Sequence, residues 1–221
     1  MEKSALIVGA SRGLGLGLAS EFLSRGYAVT ATERTRSDAL HATKVTVETT
    51  DVADHTSVDT LARKLNGQRF GLIFIVAGQW GPKHQSPLEA SFEESSALFV
   101  ANALGPVAAA QRLAANAAPG GTVAFMTSGL GSIANSSGGS LLYNGTKAAL
   151  NMMAKGFALS SDAKGRTVLV IDPGWVKTDM GGPGGQLTVD QSTRGMADVI
   201  ERTAGSGKFA FLTHAGREVP W

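Results

Sequence analysis

The sequence contains no cysteine, few aromatic residues and no long apolar run. Its 221 residues include no Cys and 6% aromatic residues. Without thiols the chain forms neither disulfides nor thiolate metal sites, and it is compatible with a reducing cytoplasm. Apolar stretches such as 72–77 are far shorter than the roughly 20 residues that span a bilayer, so we expect no membrane segment. Because the first strand pattern follows Met1 closely, we expect no signal peptide.

Neither sign of charge dominates the chain. Twenty basic and eighteen acidic positions give a net charge of +2, and no run of like charge occurs. This pattern argues against nucleic acid as the main partner. The histidines lie too far apart in sequence for metal-ligand spacing, so we expect no metal; they are His41, His55, His84 and His214. With 43% hydrophobic and 17% charged residues, we expect one globular domain over residues 1–221.

Glycine, in contrast, is abundant and is concentrated near the start of the chain. The strand-length run 5–8 is followed by Gly9, Gly13 and Gly15, and then by apolar residues at helical spacing. A strand, a glycine turn and a helix start together form the context of a phosphate-binding loop, because glycine allows close approach and the helix presents free N–H groups. The spacing G-x-x-x-G-x-G differs from the common dinucleotide fingerprint G-x-G-x-x-G. The alternative is a tight turn that binds no ligand.

Strand and helix patterns alternate along the rest of the chain. This alternation predicts an α/β fold, a doubly wound, mostly parallel Rossmann-type sheet of about seven strands with helices on both faces. The further strands are predicted at 27–32, 44–49, 72–76, 122–127, 167–171 and 208–213, and the further helices at 54–65, 92–117, 141–161 and 190–203.

Ligands of such sheets bind beyond the carboxyl ends of the strands, and five predicted strands end in polar or backbone-permissive residues. These are Glu33-Arg34, Asp51-Val52, Ala77-Gly78, Ser128 and Pro173-Gly174. In addition, Tyr143 and Lys147 are four residues apart on one helical face. A lysine ammonium near a tyrosine favours the phenolate and makes the tyrosine a usable acid or base. The alternative is a partly exposed aromatic residue beside a solvated lysine.

Taken together, these features resemble the short-chain dehydrogenase/reductases over essentially the whole chain. The resemblance is carried by the glycine spacing, Asp51-Val52, Ala77-Gly78, Asn102, Ser128, the Y-N-G-T-K motif from Tyr143 to Lys147, and Pro173-Gly174 with Thr178. Ser128 lies fifteen residues before Tyr143, slightly farther than is usual. The P-G-W-V-K-T-D-M-G-G segment and the ending R-E-V-P-W are most similar to the C-factor-like or sniffer-like carbonyl reductase branch.

The resemblance implies an NAD(P)-dependent carbonyl reductase or alcohol dehydrogenase with four catalytic residues. Tyr143 would protonate the carbonyl oxygen as hydride arrives, and Ser128 would hydrogen-bond the same oxygen. Lys147 would hold the nicotinamide ribose and lower the pKa of the tyrosine, while Asn102 would hold a water in a proton relay. The structural alternatives are that Ser128 only caps a turn and that Asn102 only satisfies buried backbone groups.

The resemblance also implies a set of cofactor-binding residues. Arg12 and Arg34 match the basic positions that bind a ribose 2′-phosphate, whereas Glu33 occupies the place of an acid that accepts from a free 2′-hydroxyl. The balance favours NADP(H) over NAD(H), with use of both as the alternative. Ile75-Val76 replace the asparagines usual before Ala-Gly, which puts cofactor affinity in question. The implied residues are Gly9, Ser11, Arg12, Gly13, Leu14, Gly15, Glu33, Arg34, Asp51, Val52, Ala77, Gly78, Tyr143, Lys147, Pro173, Gly174, Val176 and Thr178.

The substrate and partner expectations are less specific. In residues 180–187 the resemblance implies a substrate-covering loop that closes after binding, with a disordered connector as the alternative. Trp80, Trp175 and Met180 would give apolar walls for a ketone, aldehyde or alcohol. Helical stretches 92–117 and 141–163 are rich in Ala and Gly, so a homodimer or homotetramer is expected.

Two other functions stay open at this point. The first is a cofactor-binding regulatory or signalling protein of the same fold with little or no turnover. The second is another reaction on the same scaffold, such as epimerisation.

Overall fold

Seven parallel strands form one sheet in the computed structural model, which describes residues 2–221. The strands are β1 (Ser4–Val8), β2 (Ala28–Glu33), β3 (Thr46–Thr49), β4 (Phe70–Ile75), β5 (Ala117–Met126), β6 (Thr167–Asp172) and β7 (Phe209–Thr213). The helices are α1 (Gly13–Ser24), α2 (Asp38–His41), α3 (His55–Lys64), α4 (Phe92–Phe99), α5 (Gly105–Leu113), α6 (Leu141–Ala158) and α7 (Val189–Thr203). The spatial order β3-β2-β1-β4-β5-β6-β7 places the switch point between β1 and β4. The predicted doubly wound parallel fold is confirmed.

Helices cover both faces of the sheet, so both faces are buried. Because successive side chains of a strand point in opposite directions, each strand contributes to both cores. On β1, Leu6 and Val8 pack into the core beneath α3, α5 and α6. Ala5 and Ile7 pack into the opposite core beneath α1 and α7. Near-continuous apolar strands therefore fill two separate cores, and the polar strand ends are left to form the site.

The predicted elements are present, with shifts at their ends. The strand predicted at 122–127 begins earlier, at Ala117, because residues 117–121 continue the pairing with β4 through a register shift. The helix predicted at 141–161 ends at Ala158. The four-residue helix α2 was not predicted, since it is little longer than one turn and too short to show a repeating hydrophobic pattern.

The long helix predicted at 92–117 is continuous from Phe92 to Asn116 but changes its winding in the middle. A π-helical turn, Val100–Leu104, separates α4 from α5. Pro106 has no N–H, so the carbonyl of Asn102 cannot accept the usual α-helical bond from four residues ahead. The local winding thus has a sequence cause, and it falls on a predicted site residue.

This long helix also has the length and hydropathy, 1.2 on average, of a membrane span, which differs from the sequence expectation. However, 56% of its most apolar window is buried within the protein. Burial of this kind is what a core helix of a folded domain shows.

Candidate active site

The glycine loop after β1 is fixed by β2. Thr32 accepts a hydrogen bond from the Gly9 N–H through its hydroxyl (3.0 Å) and one from the Ala10 N–H through its carbonyl (2.6 Å). Gly9 has a φ of +93°, and a Cβ there would lie 2.8 Å from the Ala77 nitrogen. The position therefore requires glycine both for its backbone conformation and for its contact with the end of β4.

Helix α1 begins immediately behind this loop and faces the cleft with its N-terminus. Among residues 2–221, no side chain caps α1, and its first turn carries no acid. Unpaired N–H groups and the positive end of the helix dipole favour an anion at this place. The geometry fits the predicted phosphate-binding role.

Tyr143 and Lys147 lie side by side on the inward face of α6. Tyr143 is 7% exposed and Lys147 is 3% exposed. The Lys147 Nζ lies 5.7 Å from the centroid of the Tyr143 ring and donates to the carbonyl of Met126 at 3.0 Å. The Trp80 ring stacks on the Tyr143 ring, with centroids 4.5 Å apart. The alternative of an exposed aromatic residue beside a solvated lysine is wrong.

The pKa of Tyr143 differs from the expectation that Lys147 lowers it. Burial raises the pKa of Tyr143 to about 12; the Ser128 hydroxyl acts to lower it, and the charge of Asp172 raises it further. Burial also lowers the pKa of Lys147 to about 8. The cost of burying the phenolate therefore dominates, and Tyr143 holds its proton firmly in the protein alone.

Ser128 caps a turn and acts to lower the pKa of Tyr143. Its Oγ accepts from the Leu130 N–H at 3.2 Å, at the start of a single 3₁₀ turn. Because this contact uses an acceptor lone pair, the hydroxyl hydrogen stays available for donation. The turn itself is held by Asn151, which accepts from Thr127 at 2.6 Å and donates to the Gly131 carbonyl at 3.2 Å.

Asn102 is fully buried and braces the segment after β4. Its Oδ1 accepts from the Gln79 N–H at 2.8 Å, and its Nδ2 donates to the Gln79 carbonyl at 2.8 Å and to Thr146 at 3.1 Å. Its side chain therefore satisfies buried backbone groups, as the structural alternative proposed. Its backbone carbonyl lacks the usual α-helical donor, because Pro106 has no N–H.

Gln85 is a positioning residue that the sequence did not reveal. Helix α6 begins after Ser140, which has a φ of +39° and gives no side-chain cap. Instead, Gln85 accepts from the Tyr143 N–H through its side chain (2.9 Å) and from the Leu142 N–H through its carbonyl (3.1 Å). The first turn of the helix that carries Tyr143 is therefore capped from a residue 58 positions away.

At the other end of the cleft, Arg12 and Arg34 are exposed and Glu33 is not. Arg12 lies 3.3 Å from Asp179, and Arg34 lies 3.8 Å from Asp51. Both arginines line the cleft. Glu33 is 5% exposed and bonds to His41 and to the Ser37 backbone instead. The exposed ion pairs Arg12–Asp179 and Arg34–Asp51 contribute little to stability and rearrange easily.

The segment expected to cover the substrate is an ordered loop. Leu187 and Gln186 donate to the Trp175 carbonyl at 3.0 and 2.8 Å, and the Trp175 indole donates to the Gly181 carbonyl at 2.7 Å. A Cβ on Gly185 would lie 2.5 Å from the Lys177 nitrogen. The glycines here permit close backbone packing, so the disordered alternative is wrong.

These elements enclose one open cleft of about 300 Å³ along the carboxyl edge of the sheet. Most predicted residues line it, whereas Glu33, Asn102, Ser128, Gly174 and Val176 lie beside it. The lining residues among those predicted are Gly9, Ser11, Arg12, Gly13, Leu14, Gly15, Arg34, Asp51, Val52, Ala77, Gly78, Tyr143, Lys147, Pro173 and Thr178.

Comparison with known families decides the class of protein. The model of the short chain dehydrogenase family matches residues 3–186. The chain belongs to the short-chain dehydrogenase family. The resemblance seen in the sequence is confirmed, and with it the predicted enzyme class, an oxidoreductase of the dehydrogenase/reductase type.

Individual relatives agree with this assignment. A short-chain dehydrogenase/reductase from Burkholderia multivorans, solved with bound NADP, is 36% identical with a TM-score of 0.94, and 99% of each chain is covered. The carbonyl reductase Sniffer of D. melanogaster is 26% identical with a TM-score of 0.84 over 100% of both chains. The C-signal protein of Myxococcus xanthus is 35% identical over 136 residues, which are 60% of this chain and 82% of that one.

Proposed function

We propose that residues 1–221 act as one NADP(H)-dependent carbonyl reductase domain. The observation that carries this proposal is the buried Tyr143–Lys147 pair, which lines the same cleft as the uncapped N-terminus of α1. NADPH supplies the hydride when it is bound, and the cleft residues supply orientation and a proton. The support for NADP(H) is the NADP-bound relative, the two exposed arginines and the withdrawal of Glu33 from the cleft.

In this proposal each catalytic residue has a stated task. Tyr143 donates its proton to the carbonyl oxygen, and the high pKa keeps that proton in place until the oxygen becomes basic. Ser128 donates a hydrogen bond to the same oxygen. Lys147 holds the nicotinamide ribose and stabilises the negative charge that develops on Tyr143, while the Asn102 carbonyl holds a relay water. The remaining predicted glycine-loop and strand-end residues bind the cofactor.

The substrate we propose is a modestly apolar ketone or aldehyde, with the matching alcohol as product. Trp80 stacks on Tyr143, and Met180 lines the same cleft as Tyr143. The test follows nicotinamide absorbance with NADPH and NADH over a panel of apolar carbonyl compounds and sugar phosphates. Turnover on the apolar carbonyls with a preference for NADPH is expected. Turnover restricted to sugar phosphates would contradict the proposed substrate class.

The alternative of a signalling protein has specific support from the C-signal relative. A pure cofactor sensor has no use for a buried Tyr143 on a helix whose first turn is capped by Gln85, so the enzyme is the better proposal. Tight NADPH binding without turnover on any carbonyl compound would favour the sensor. Product analysis that finds an inverted stereocentre and no net change in NADPH would indicate epimerisation.

We also propose that the enzyme is cytoplasmic and forms a homodimer or homotetramer. The outer faces of the long helices expose apolar side chains, including Phe92, Leu104 and Met152 at 82, 50 and 73%. Apolar surface of this kind is typical of a protein interface. Light scattering at micromolar concentration is expected to give a dimer or tetramer mass, and a monomer at all concentrations would refute the proposal.

A further inference from the structure

Glu33 is held by two hydrogen bonds that turn its carboxylate away from the cleft. One oxygen lies 2.8 Å from the His41 Nε2, and the other accepts from the Ser37 N–H at 2.6 Å. Burial acts to raise the pKa of Glu33, but the bonds to His41 and Ser37 prevail and lower it. Glu33 is therefore a carboxylate anion at neutral pH, and both of its oxygens are engaged by residues that do not line the cleft.

Both partners of Glu33 belong to helix α2, which is itself fixed in place. Ser37 is the N-cap of α2 and His41 is its last residue. The Ser37 hydroxyl donates to the Ser11 carbonyl in the glycine loop at 2.6 Å, and Leu40 is fully buried in the core. Helix α2 thus gives His41 a fixed support beside the glycine loop.

We propose that His41 is a positioning residue that makes the protein accept a 2′-phosphorylated cofactor, an inference that rests on the proposed placement of the phosphate between Arg12 and Arg34. Glu33 directly precedes Arg34, so its side chain reaches the same end of the cleft once it is released. There the carboxylate repels a phosphate, competes for Arg34, and accepts from a free 2′-hydroxyl. By holding Glu33, His41 removes this repulsion.

The test measures binding of 2′,5′-ADP and 5′-AMP by calorimetry, because these two nucleotides differ only in the 2′-phosphate. We expect His41→Leu to weaken 2′,5′-ADP binding about tenfold, as two unit charges brought near each other at a protein surface require. Binding of 5′-AMP stays unchanged. His41→Gln, whose amide N–H still donates to a carboxylate, keeps the wild-type ratio, and the double variant Glu33→Gln/His41→Leu restores it.

Several outcomes would overturn this inference. Equal weakening of both nucleotides in His41→Leu indicates a merely structural role for His41. A double variant that stays weak for 2′,5′-ADP shows that the Glu33 charge is not the cause. Glu33→Gln alone, which leaves His41 and the fold in place, is expected to change 2′,5′-ADP affinity little; a large gain would mean that Glu33 already faces the phosphate.

The failure of the phosphate placement is recognised separately. If Arg12→Ala and Arg34→Ala leave 2′,5′-ADP affinity unchanged, the phosphate lies elsewhere, and the proposed binding mode falls together with the inference. If both arginine variants weaken 2′,5′-ADP but His41→Leu does not, only the role of His41 is refuted. These readouts need no turnover, so they are independent of the proposed reaction.

Discussion

Two buried ionisable residues stand at opposite ends of the cleft, and the protein treats their charges differently. Glu33 has two hydrogen bonds from α2, and its pKa is lowered, which means that the charged form is favoured. Lys147 has one hydrogen bond, to the Met126 carbonyl, and its pKa is lowered to about 8, which means that its charge is disfavoured. The protein itself compensates the charge of Glu33, whereas full compensation of the Lys147 charge is left to the bound cofactor and substrate.

This difference separates a residue that must be kept out of the reaction from one that takes part in it. A buried charge that is not fully compensated by hydrogen bonds or an opposite charge lowers stability, and it is retained where function requires it. At the adenosine end, hydrogen bonds hold the Glu33 carboxylate out of the cleft, where it would repel a phosphate. At the catalytic end, the Lys147 ammonium lies beside Tyr143 with its charge only partly compensated. The following predictions sharpen this comparison, beginning with the largest effect.

Tyr143→Phe is expected to reduce kcat for carbonyl reduction about 1,000-fold, because the proton donor is lost while the stacking surface for Trp80 remains. The NADPH affinity, measured by fluorescence quenching, stays near the wild-type value. Tyr27→Phe is the matched control, since the Tyr27 hydroxyl bonds to Glu201 (3.1 Å) outside the cleft. A Tyr143→Phe variant as active as Tyr27→Phe would contradict the assigned role.

Lys147→Met is expected to reduce kcat/KM about 100-fold and, at the same time, to stabilise the cofactor-free protein. The shift of the Lys147 pKa from 10.5 to about 8 corresponds to about 3 kcal/mol, which is fully present at pH 7 because both pKa values lie higher, so the variant is expected to gain at most about 3 kcal/mol in unfolding free energy. Urea denaturation measures this gain. A less stable Lys147→Met protein would show that the ammonium is well satisfied in the fold.

The pH dependence of kcat/KM for NADPH reports ionisations of the free enzyme. Reduction needs a charged Lys147 and a protonated Tyr143, whose pKa values are about 8 and about 12. We therefore expect kcat/KM to fall about tenfold per pH unit above pH 8. A rate that stays constant up to pH 10 would contradict the lowered pKa of Lys147.

At the other end of the cleft, Arg34→Ala and Arg12→Ala are each expected to lower the preference for NADPH over NADH about tenfold, through loss of a phosphate contact. The ratio of the two kcat/KM values measures the preference. Arg69→Ala, at an exposed place away from the cleft, serves as the control. Equal losses with both cofactors would point to a general effect on the loop and against phosphate recognition.

Stability is expected to respond least to the exposed pair Arg12–Asp179, whose side chains are 79 and 82% exposed. Asp179→Asn changes the unfolding free energy by less than about 1 kcal/mol, as is typical of surface ion pairs. Thermal denaturation checks this. A larger destabilisation would show that the pair holds the loop after β6 in place.

Much of the fold and most of the cleft could be predicted from local patterns. The alternation of strand and helix patterns predicted the parallel sheet. A parallel sheet in turn places Asp51, Gly78 and Pro173 at its carboxyl edge. Gln85 could not be predicted as the cap of α6, because the two are joined only by tertiary structure. The orientation of Glu33 depends on α2, whose four residues give no periodic signal. The raised pKa of Tyr143 follows from burial, which the i, i+4 spacing does not reveal.

The most direct test of the unmet charge beside Tyr143 is an NMR titration of the lysine side chains in the cofactor-free protein, with Lys147→Met to assign the resonance. We predict that the Lys147 signal titrates with a pKa of about 8 and that this value rises when NADP⁺ is added. A Lys147 pKa near the ordinary value of 10.5 in the free protein would show that its charge is already satisfied, and the contrast with Glu33 would fail.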